Sequence, residues 1–250
     1  MELTPLEQRI IANIREGDLI TIDTLYRLGD LLKLADKKTI KEVAFNLVKK
    51  GVMIRIKRGK YLAVKSPEDY DPLKIANYLF DGYIAITTAL FIYGYNQTKS
   101  FVIFGTTTSR KRSTKIGEYL YIAIPMGKLT FGSTYYRGYK VSTKAKTLLD
   151  CIYNMHYIAD FVPLFDMIQD MTNENFSELL IYLSGIRNSS VIQRLGFVLE
   201  KAGAPENIIE AILRKKGKSI VRLDSKVNKN INYDKTWGVF DNINLNRFKN

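Results

Sequence analysis

Cationic and polar side chains recur at helical spacing after Asp36 and again around the dipeptide Arg58-Gly59. Such side chains bind phosphate oxygens and the edges of bases in the major groove of DNA. Between residues 33 and 65 the chain has eleven Lys or Arg and two acidic residues. We therefore predict that both groups contact a nucleic acid. The predicted contact residues are Lys37, Lys38, Thr39, Lys41, Asn46, Arg55, Lys57, Arg58 and Lys60.

The first group lies on a predicted helix that begins after Asp36 and ends before Gly51. Asp is a good N-terminal cap, and Gly suits the left-handed position beyond a helix end. Five apolar residues follow the helical period and predict one buried face. They are Ile40, Val43, Ala44, Leu47 and Val48. The lysines then occupy the opposite face, which is either a ligand-binding surface or simply a solvated one.

The second group lies on a predicted β-hairpin. Val52, Ile54 and Ile56 alternate with polar or longer side chains, which is the period of a half-buried strand. The segment 58–60 supplies a turn, and residues 61–64 predict the returning strand.

Upstream elements complete the pattern. Thr4-Pro5-Leu6-Glu7 has the spacing of a capping box, which predicts a first helix that continues to about Gly17. The run 19–22 predicts a short strand that pairs with the hairpin. Asp23 is the expected cap of a second helix, whose apolar residues are Leu25, Leu28, Leu31 and Leu32. The order helix, strand, helix, helix, hairpin predicts a winged helix-turn-helix.

The fold class predicted for the whole chain is α+β. A winged helix-turn-helix domain over residues 1–66 precedes a mixed α+β domain over 67–250, which could divide again near residue 150. Two prolines and three acidic residues between Ser66 and Pro72 indicate the boundary. Strand-like runs follow it, and from Lys144 onward the pattern is largely helical.

The 250 residues carry a formal net charge of +13, which favours polyanionic partners. An anionic membrane surface is the competing partner. The longest apolar run, Tyr83–Tyr95, is too short to span a bilayer, and the N-terminus does not resemble a secretory signal. We expect a cytoplasmic protein with no membrane association.

The sequence offers little for catalysis or metal binding. One cysteine, Cys151, and one histidine, His156, cannot supply the usual zinc ligand sets. Gly217-Lys218-Ser219 resembles the end of a phosphate-binding loop, but the glycine that such a loop requires is replaced by Ile212. We therefore expect no catalytic residues, no metal site and no cofactor, with Cys151 as a buried structural thiol.

Two further basic clusters could add phosphate contacts, although short runs of like charge are commonly just solvated. The first contains Arg110, Lys111, Arg112 and Lys115, and the second contains Arg214, Lys215, Lys216, Lys218 and Arg222.

Several short stretches, in order along nearly all of the chain, resemble the AbiEi family of antitoxins and transcriptional regulators of type IV toxin-antitoxin systems. They are Arg58–Tyr61, Tyr83–Ala85, Thr88–Leu90, Tyr93–Tyr95, Val141-Ser142, Lys146–Asp150, Ile192–Phe197, Leu199-Glu200, Leu223 and Trp237–Asn242. The chain departs from the family at Lys144-Ala145-Lys146, where a Glu-Arg pair is usual, so a conserved ion pair is not expected there.

The resemblance implies an N-terminal domain that binds its own operator in double-stranded DNA and represses the operon. It also implies a C-terminal domain that neutralises a partner toxin, commonly a nucleotidyltransferase. Two alternatives stay open at this point: a nuclease or other nucleic-acid enzyme targeted by the winged helix, and an RNA-binding adaptor that uses the later basic clusters.

Overall fold

Helices and small β-sheets follow one another along the chain, which has an α+β architecture. The computed structural model describes residues 2–64, 70–98, 100–110, 113–229 and 231–248, so the predicted boundary at residue 66 lies outside the described residues. Contacts divide the chain into two units. Unit 1 contains Met1–Asp81, Phe101–Ile103 and Lys111–Ala123, and unit 2 contains Gly82–Ser100, Phe104–Arg110 and Ile124–Asn250.

The first six elements all belong to unit 1. They are α1 (Pro5–Ile11), β1 (Leu19–Thr21), α2 (Ile22–Leu31), α3 (Lys37–Lys49), β2 (Met53–Lys57) and β3 (Lys60–Ala63). The following elements are α4 (Pro72–Leu79), α5 (Ile86–Tyr93), β4 (Val102–Thr107), β5 (Thr114–Ile116), β6 (Tyr119–Pro125), β7 (Ser133–Tyr136) and β8 (Tyr139–Ser142). The remaining elements are α6 (Lys144–Tyr153), α7 (Val162–Gln169), α8 (Asn173–Ser184), α9 (Ser189–Lys201), α10 (Glu206–Leu213), β9 (Val221–Arg222), β10 (Asn232–Asp234) and β11 (Val239–Asp241).

None of the helices within the described ranges is long and apolar enough to cross a membrane. Three short 3-10 helices, Gly127–Leu129, Met155–Tyr157 and Leu245–Phe248, complete the helical segments of these ranges.

The caps of α1 and α3 are the predicted ones. Thr4 and Glu7 form a capping box, and the Asp36 side chain accepts a hydrogen bond from the Thr39 amide at 2.8 Å. Gly51 follows α3 with a φ of +75°, a conformation that a Cβ atom disfavours. The predicted end of α1 and the predicted cap of α2 were wrong. Helix α1 ends at Ile11 rather than near Gly17, and Thr21, not Asp23, caps α2 through its hydroxyl.

Strand β3 lies between β1 and β2 in an antiparallel sheet, so the predicted pairing of 19–21 with the hairpin is confirmed. Arg55 pairs with Tyr61, but Lys57 pairs with Lys60, so Ile56 is an extra residue in β2. Such a bulge shifts the side-chain alternation along the strand. Met53 and Ile56 are consequently both buried, whereas the sequence pattern placed them on opposite faces.

One hydrophobic core joins the three N-terminal helices to this sheet. Its buried residues are Ile10, Ile20, Leu25, Ile40, Val43, Ala44, Leu47, Met53 and Ala63. The predicted buried face of α3 is confirmed, because its four central apolar residues belong to this core and Val48 packs against it. Leu31 differs from the prediction: it is 79% exposed at the last residue of α2.

An ion pair ties α1 to the C-terminal end of α3. The Lys50 ammonium lies 2.5 Å from Glu7 Oε2 and also donates to the Glu2 carbonyl at 2.9 Å. Glu7 is 1% exposed, and Oε2 also accepts from the Thr4 amide at 2.7 Å. Burial raises the pKa of Glu7, but hydrogen bonds from Lys50 and Thr4 outweigh it, so the pKa lies below its ordinary value. This pair therefore fixes one end of α3.

In unit 2 an indole ring packs directly on a helix backbone. The Trp237 ring is fully buried, and a Cβ atom on Gly196 of α9 would lie only 2.1 Å from it. The indole Nε1–H donates to Glu200 at 2.5 Å, and Gln193 Nε2 donates to the carbonyls of Ser219 and Trp237. Helix α9 thus holds the closing strands of unit 2.

Glu7→Gln keeps the shape and the acceptor oxygen of the side chain but removes its charge. We expect a loss of about 1 kcal/mol in the free energy of unfolding at pH 7, the difference between a charged and a neutral hydrogen bond. Because the folded pKa lies below 4.5, the wild-type advantage is complete above that pH and disappears as the pH falls through the lowered pKa.

Urea unfolding of both proteins between pH 3 and pH 7 measures this difference. Glu42→Gln is the matched control, since Glu42 is an exposed carboxylate on α3. An advantage of Glu7 that is equally large at pH 3 and pH 7 would contradict the ion-pair assignment.

Candidate nucleic-acid interface

The face of α3 opposite the core carries the first predicted group. Lys37, Lys38, Lys41 and Asn46 are exposed, and Thr39, whose amide binds the cap, is half-buried. The Lys37 ammonium lies 5.7 Å from the centre of the Tyr26 ring, a cation–π distance. The hydrogen bond from the Thr39 amide lowers the pKa of the exposed Asp36, and the nearby Lys38 charge contributes to this shift. Among the described residues, the ammonium groups of Lys38 and Lys41 form no hydrogen bond or ion pair. Their charges are therefore available to an anionic ligand.

Two further exposed residues of α3 share this outward face, and the sequence analysis did not single them out. Phe45 is 66% exposed, and Glu42 lies beside it in the sequence. At 100° per residue, Phe45 falls between Lys38 and Lys41 on the side away from Ala44. This angular position could have been calculated from the sequence and would have predicted an exposed Phe45. An aromatic residue is, however, more commonly assigned to a core.

The second predicted group lies on the β2–β3 hairpin. Arg55 and Arg58 are exposed, whereas Lys57 and Lys60 are half-buried. Gly59 has a φ of +71°, and its carbonyl accepts a hydrogen bond from the Ile22 amide at 2.8 Å. The turn is therefore held against the first residue of α2. A Cβ atom added at position 59 would lie 3.3 Å from the Ile22 side chain, so a larger residue would disturb this contact.

The structure brings three cations of the β2–β3 hairpin together around one cleft in unit 1. Arg55, Lys57 and Arg58 line it, opposite residues of α4, β5 and β6. No residue of α3 lines this cleft. The outward face of α3 and the cationic side of β2 are thus two adjoining features of unit 1, linked through the short turn 50–52 that follows α3.

The other predicted phosphate contacts are only partly described. Arg110 and Lys115 are exposed, and Lys111 and Arg112 lie outside the described residues. In the later cluster Arg214 lies 3.6 Å from Glu210, its ion-pair partner on α10.

A cavity of about 590 Å³ in unit 2 is lined by Lys216, Lys218, Lys235 and the exposed Tyr233. Lys216 donates a hydrogen bond to the Thr236 carbonyl. The Gly217-Lys218-Ser219 triplet thus borders a cationic pocket, and its serine hydroxyl is 3.1 Å from Gln193 Oε1.

Cys151 is buried, as predicted, and burial raises the pKa of its thiol well above the ordinary value. The pKa of His156 is lowered by partial burial and by the nearby Lys226. The described part of the chain holds no group of three or more His, Cys, Asp or Glu side chains that could bind a metal ion.

A buried ion pair that the sequence analysis did not single out lies within helix α6. Lys146 is 1% exposed and donates to Asp150, one turn along α6. The ammonium also lies 5.7 Å from the Tyr83 ring centre and 5.2 Å from that of Phe131. Burial raises the pKa of Asp150 to about 6 even though Lys146 lowers it. The spacing of four residues on one helix was the available signal, but burial of the pair depends on the elements around it.

The comparisons with known proteins concern the fold. No protein-family model and no curated protein matches the chain. Among solved structures, the chain is similar to the crystal structure of RV2827C protein from Mycobacterium tuberculosis, with a TM-score of 0.66 at 15% sequence identity. The match covers 95% of this chain and 92% of the other. At this identity the likeness shows a shared fold over nearly the whole chain.

Proposed function

We propose that the N-terminal part of unit 1 is a winged helix-turn-helix that binds double-stranded DNA in a sequence-specific manner. We further propose that the protein represses its own operon as the antitoxin of a type IV toxin-antitoxin system, and that it acts in the cytoplasm without catalysing a reaction. The two proposals rest on different grounds, because the first comes from geometry and the second from the family resemblance.

The outward face of α3 is the observation that carries the DNA-binding proposal. Its opposite face is fixed in the core, while Lys38, Lys41 and Asn46 are exposed along one side. A helix that enters the major groove needs this arrangement, with cations for phosphates and amide or aromatic groups for base edges. Here Asn46 can pair with adenine, and Phe45 can contact the methyl group of thymine.

The hairpin supports the same assignment. In a winged helix the recognition helix is followed by two antiparallel strands that reach flanking phosphates. In this chain α3 is followed by β2 and β3, with Arg55 and Arg58 exposed on them. These guanidinium groups can form paired hydrogen bonds with phosphate oxygens. Lys57 and Lys60 add positive charge to the same hairpin.

The antitoxin proposal assigns neutralisation of a nucleotidyltransferase-like toxin to the C-terminal part of the chain. Its support is the order of the AbiEi-like stretches, which extend to Trp237–Asn242. In unit 2 these last residues pack on α9 through the Trp237 ring, so the resembling stretches around Gly196 and Trp237 are in direct contact. Two of the resembling stretches that are far apart in sequence are therefore neighbours in unit 2.

One observation favours a second candidate function, the binding of single-stranded RNA by unit 2. Tyr233 is 43% exposed beside the cationic pocket, and its ring centre lies 4.9 Å from that of Phe240. Bases stack on aromatic side chains that are flanked by lysines. A competition experiment, in which RNA and DNA from upstream of this gene compete for binding to the protein, separates the two candidate functions. A preference for RNA would favour RNA binding by unit 2.

The wing assignment predicts a change in salt dependence. Arg55→Ala/Arg58→Ala should weaken binding to DNA from upstream of the gene and reduce the slope of log K against log salt by about two, because each lost phosphate contact removes about 0.9. Mobility shifts at several salt concentrations measure the slope. The control Lys128→Ala/Lys229→Ala removes the same charge from exposed positions in unit 2. An unchanged slope in the Arg variant would refute the wing assignment, and equal wild-type affinity for random DNA would refute sequence-specific binding.

Phe45→Ala tests whether α3 reads bases. We expect affinity for the upstream DNA to fall about tenfold, which corresponds to one lost apolar base contact, while affinity for random DNA stays the same. The salt slope should not change, since no charge is lost. Leu31→Ala is the control, because Leu31 is the other strongly exposed apolar residue of these helices. A parallel loss on both DNAs would argue against base contact by Phe45.

The two proposed activities should separate by mutation. Lys38→Ala/Lys41→Ala is expected to abolish repression of a reporter that carries the upstream DNA, since two phosphate contacts are lost. Growth of cells that express the cognate toxin should still be rescued, because neutralisation is assigned to the other part of the chain. Loss of rescue at an unchanged protein level would contradict this division.

A further inference from the structure

A cleft of about 450 Å³ lies beside the β2–β3 hairpin, entirely within unit 1. One wall is the cationic stretch of β2 and its turn, and the others come from the end of α4 and from strands β5 and β6. Its volume falls in the range of small-molecule binding sites, about 300–1,000 Å³. The DNA-binding proposal uses the outer ends of the same arginines but gives the cleft itself no role.

The charged residues that line the cleft, within the described ranges, are all positive. Arg55, Lys57 and Arg58 contribute three cations, and no lining residue of the described ranges is acidic. The Arg55 and Arg58 side chains are exposed, and no hydrogen bond or ion pair joins either guanidinium group to another described residue. An anion that enters the cleft can therefore form paired hydrogen bonds with these guanidinium groups.

The opposite side of the cleft is apolar and aromatic. Tyr121 is 0% and Phe80 is 5% exposed, and their ring centres are 6.4 Å apart. The Tyr121 hydroxyl donates to the Pro72 carbonyl at 3.2 Å, so its polar end is satisfied and its ring is fixed. Leu79 and Ala123 complete this side. The two buried rings give this side a fixed backing, and the half-buried Leu79 and Ala123 in front of them suit a flat apolar body, because its contact removes apolar surface from water.

We propose that this cleft binds a small anionic molecule with an aromatic body, whose acidic group meets Arg55 and Arg58 and whose ring packs against Leu79 and Ala123, in front of the buried rings of Phe80 and Tyr121. We also infer that the bound molecule competes with DNA for the two arginines, a consequence that rests on the proposed function. By linkage, a ligand that weakens DNA binding is itself released by DNA to the same extent. The cleft is then an effector site of the regulator.

The fluorescent aromatic sulfonate 8-anilinonaphthalene-1-sulfonate is a suitable probe, and N-phenyl-1-naphthylamine is the same molecule without the sulfonate. In titrations of the full chain we expect saturable binding of both. Arg55→Gln/Arg58→Gln should weaken the sulfonate about tenfold or more and leave the uncharged probe within about twofold, since only the charge-assisted hydrogen bonds are lost.

A second variant fills the cleft and leaves its cations in place. Thr114→Trp changes the edge strand β5, where a large aromatic residue is compatible with strand structure. This variant should bind both probes about tenfold or more weakly than the wild-type protein does. Ala123→Leu provides a smaller filling on β6 if the tryptophan variant does not fold, as judged by circular dichroism. The control Lys38→Gln/Lys41→Gln removes two charges from α3, outside the cleft, and should leave both titrations unchanged.

Three results would overturn the site. They are unchanged sulfonate binding in a folded cleft-filling variant, an equal loss of both probes in the arginine variant, and an equal loss of sulfonate binding in the α3 control. These titrations contain no DNA, so their outcome is independent of the DNA-binding proposal.

A mobility-shift experiment tests the competition with DNA. The sulfonate should weaken DNA binding by the wild-type protein but not by Thr114→Trp. Sulfonate binding at the cleft without an effect on bound DNA would refute the competition alone.

Discussion

The burial of one face of α3 is the constraint on which the rest of the N-terminal unit depends. Ile40, Ala44 and Leu47 are at most 1% exposed, and the free energy of removing such side chains from water fixes the rotation of the helix about its axis. The Glu7–Lys50 pair holds the C-terminal end of the same helix. Once this rotation is fixed, every outward residue of α3 is determined, including the cations and Phe45.

The sheet next to α3 has a comparable role for the hairpin cations. Strand β3 pairs on both sides, so β2 is an edge strand that is anchored along its length. The bulge at Ile56 buries that side chain, and Arg55 and Arg58 before and after it are exposed. A packing requirement of the core thereby places two guanidinium groups where both a phosphate backbone and a small anion could reach them. The DNA-binding and effector proposals both follow from this placement.

The features that were predictable from sequence are the local ones. The capping box at Thr4, the Asp36 cap and the Gly51 stop each depend on residues within a few positions of one another. Leu31 was misassigned because it follows the apolar period of α2 but comes at the helix end, beyond the reach of the core. Phe45 was missed because residue type was weighed above its angle on the helix. The bulge was not predictable, because it depends on how β2 and β3 pack against the core. The local sequence pattern carries no information about that packing.

By itself, the sequence determined the charge excess, the limits of α3 and the separation of its apolar and cationic faces, because helix caps and hydrophobic periodicity act over one or two turns. Only the tertiary structure decided that Lys146 and Asp150 form a buried pair, that Trp237 packs on Gly196, and that the arginines of the β2–β3 hairpin border a cleft with an apolar wall. Those arrangements join residues that are distant along the chain, and burial among them is settled only when all the elements have packed.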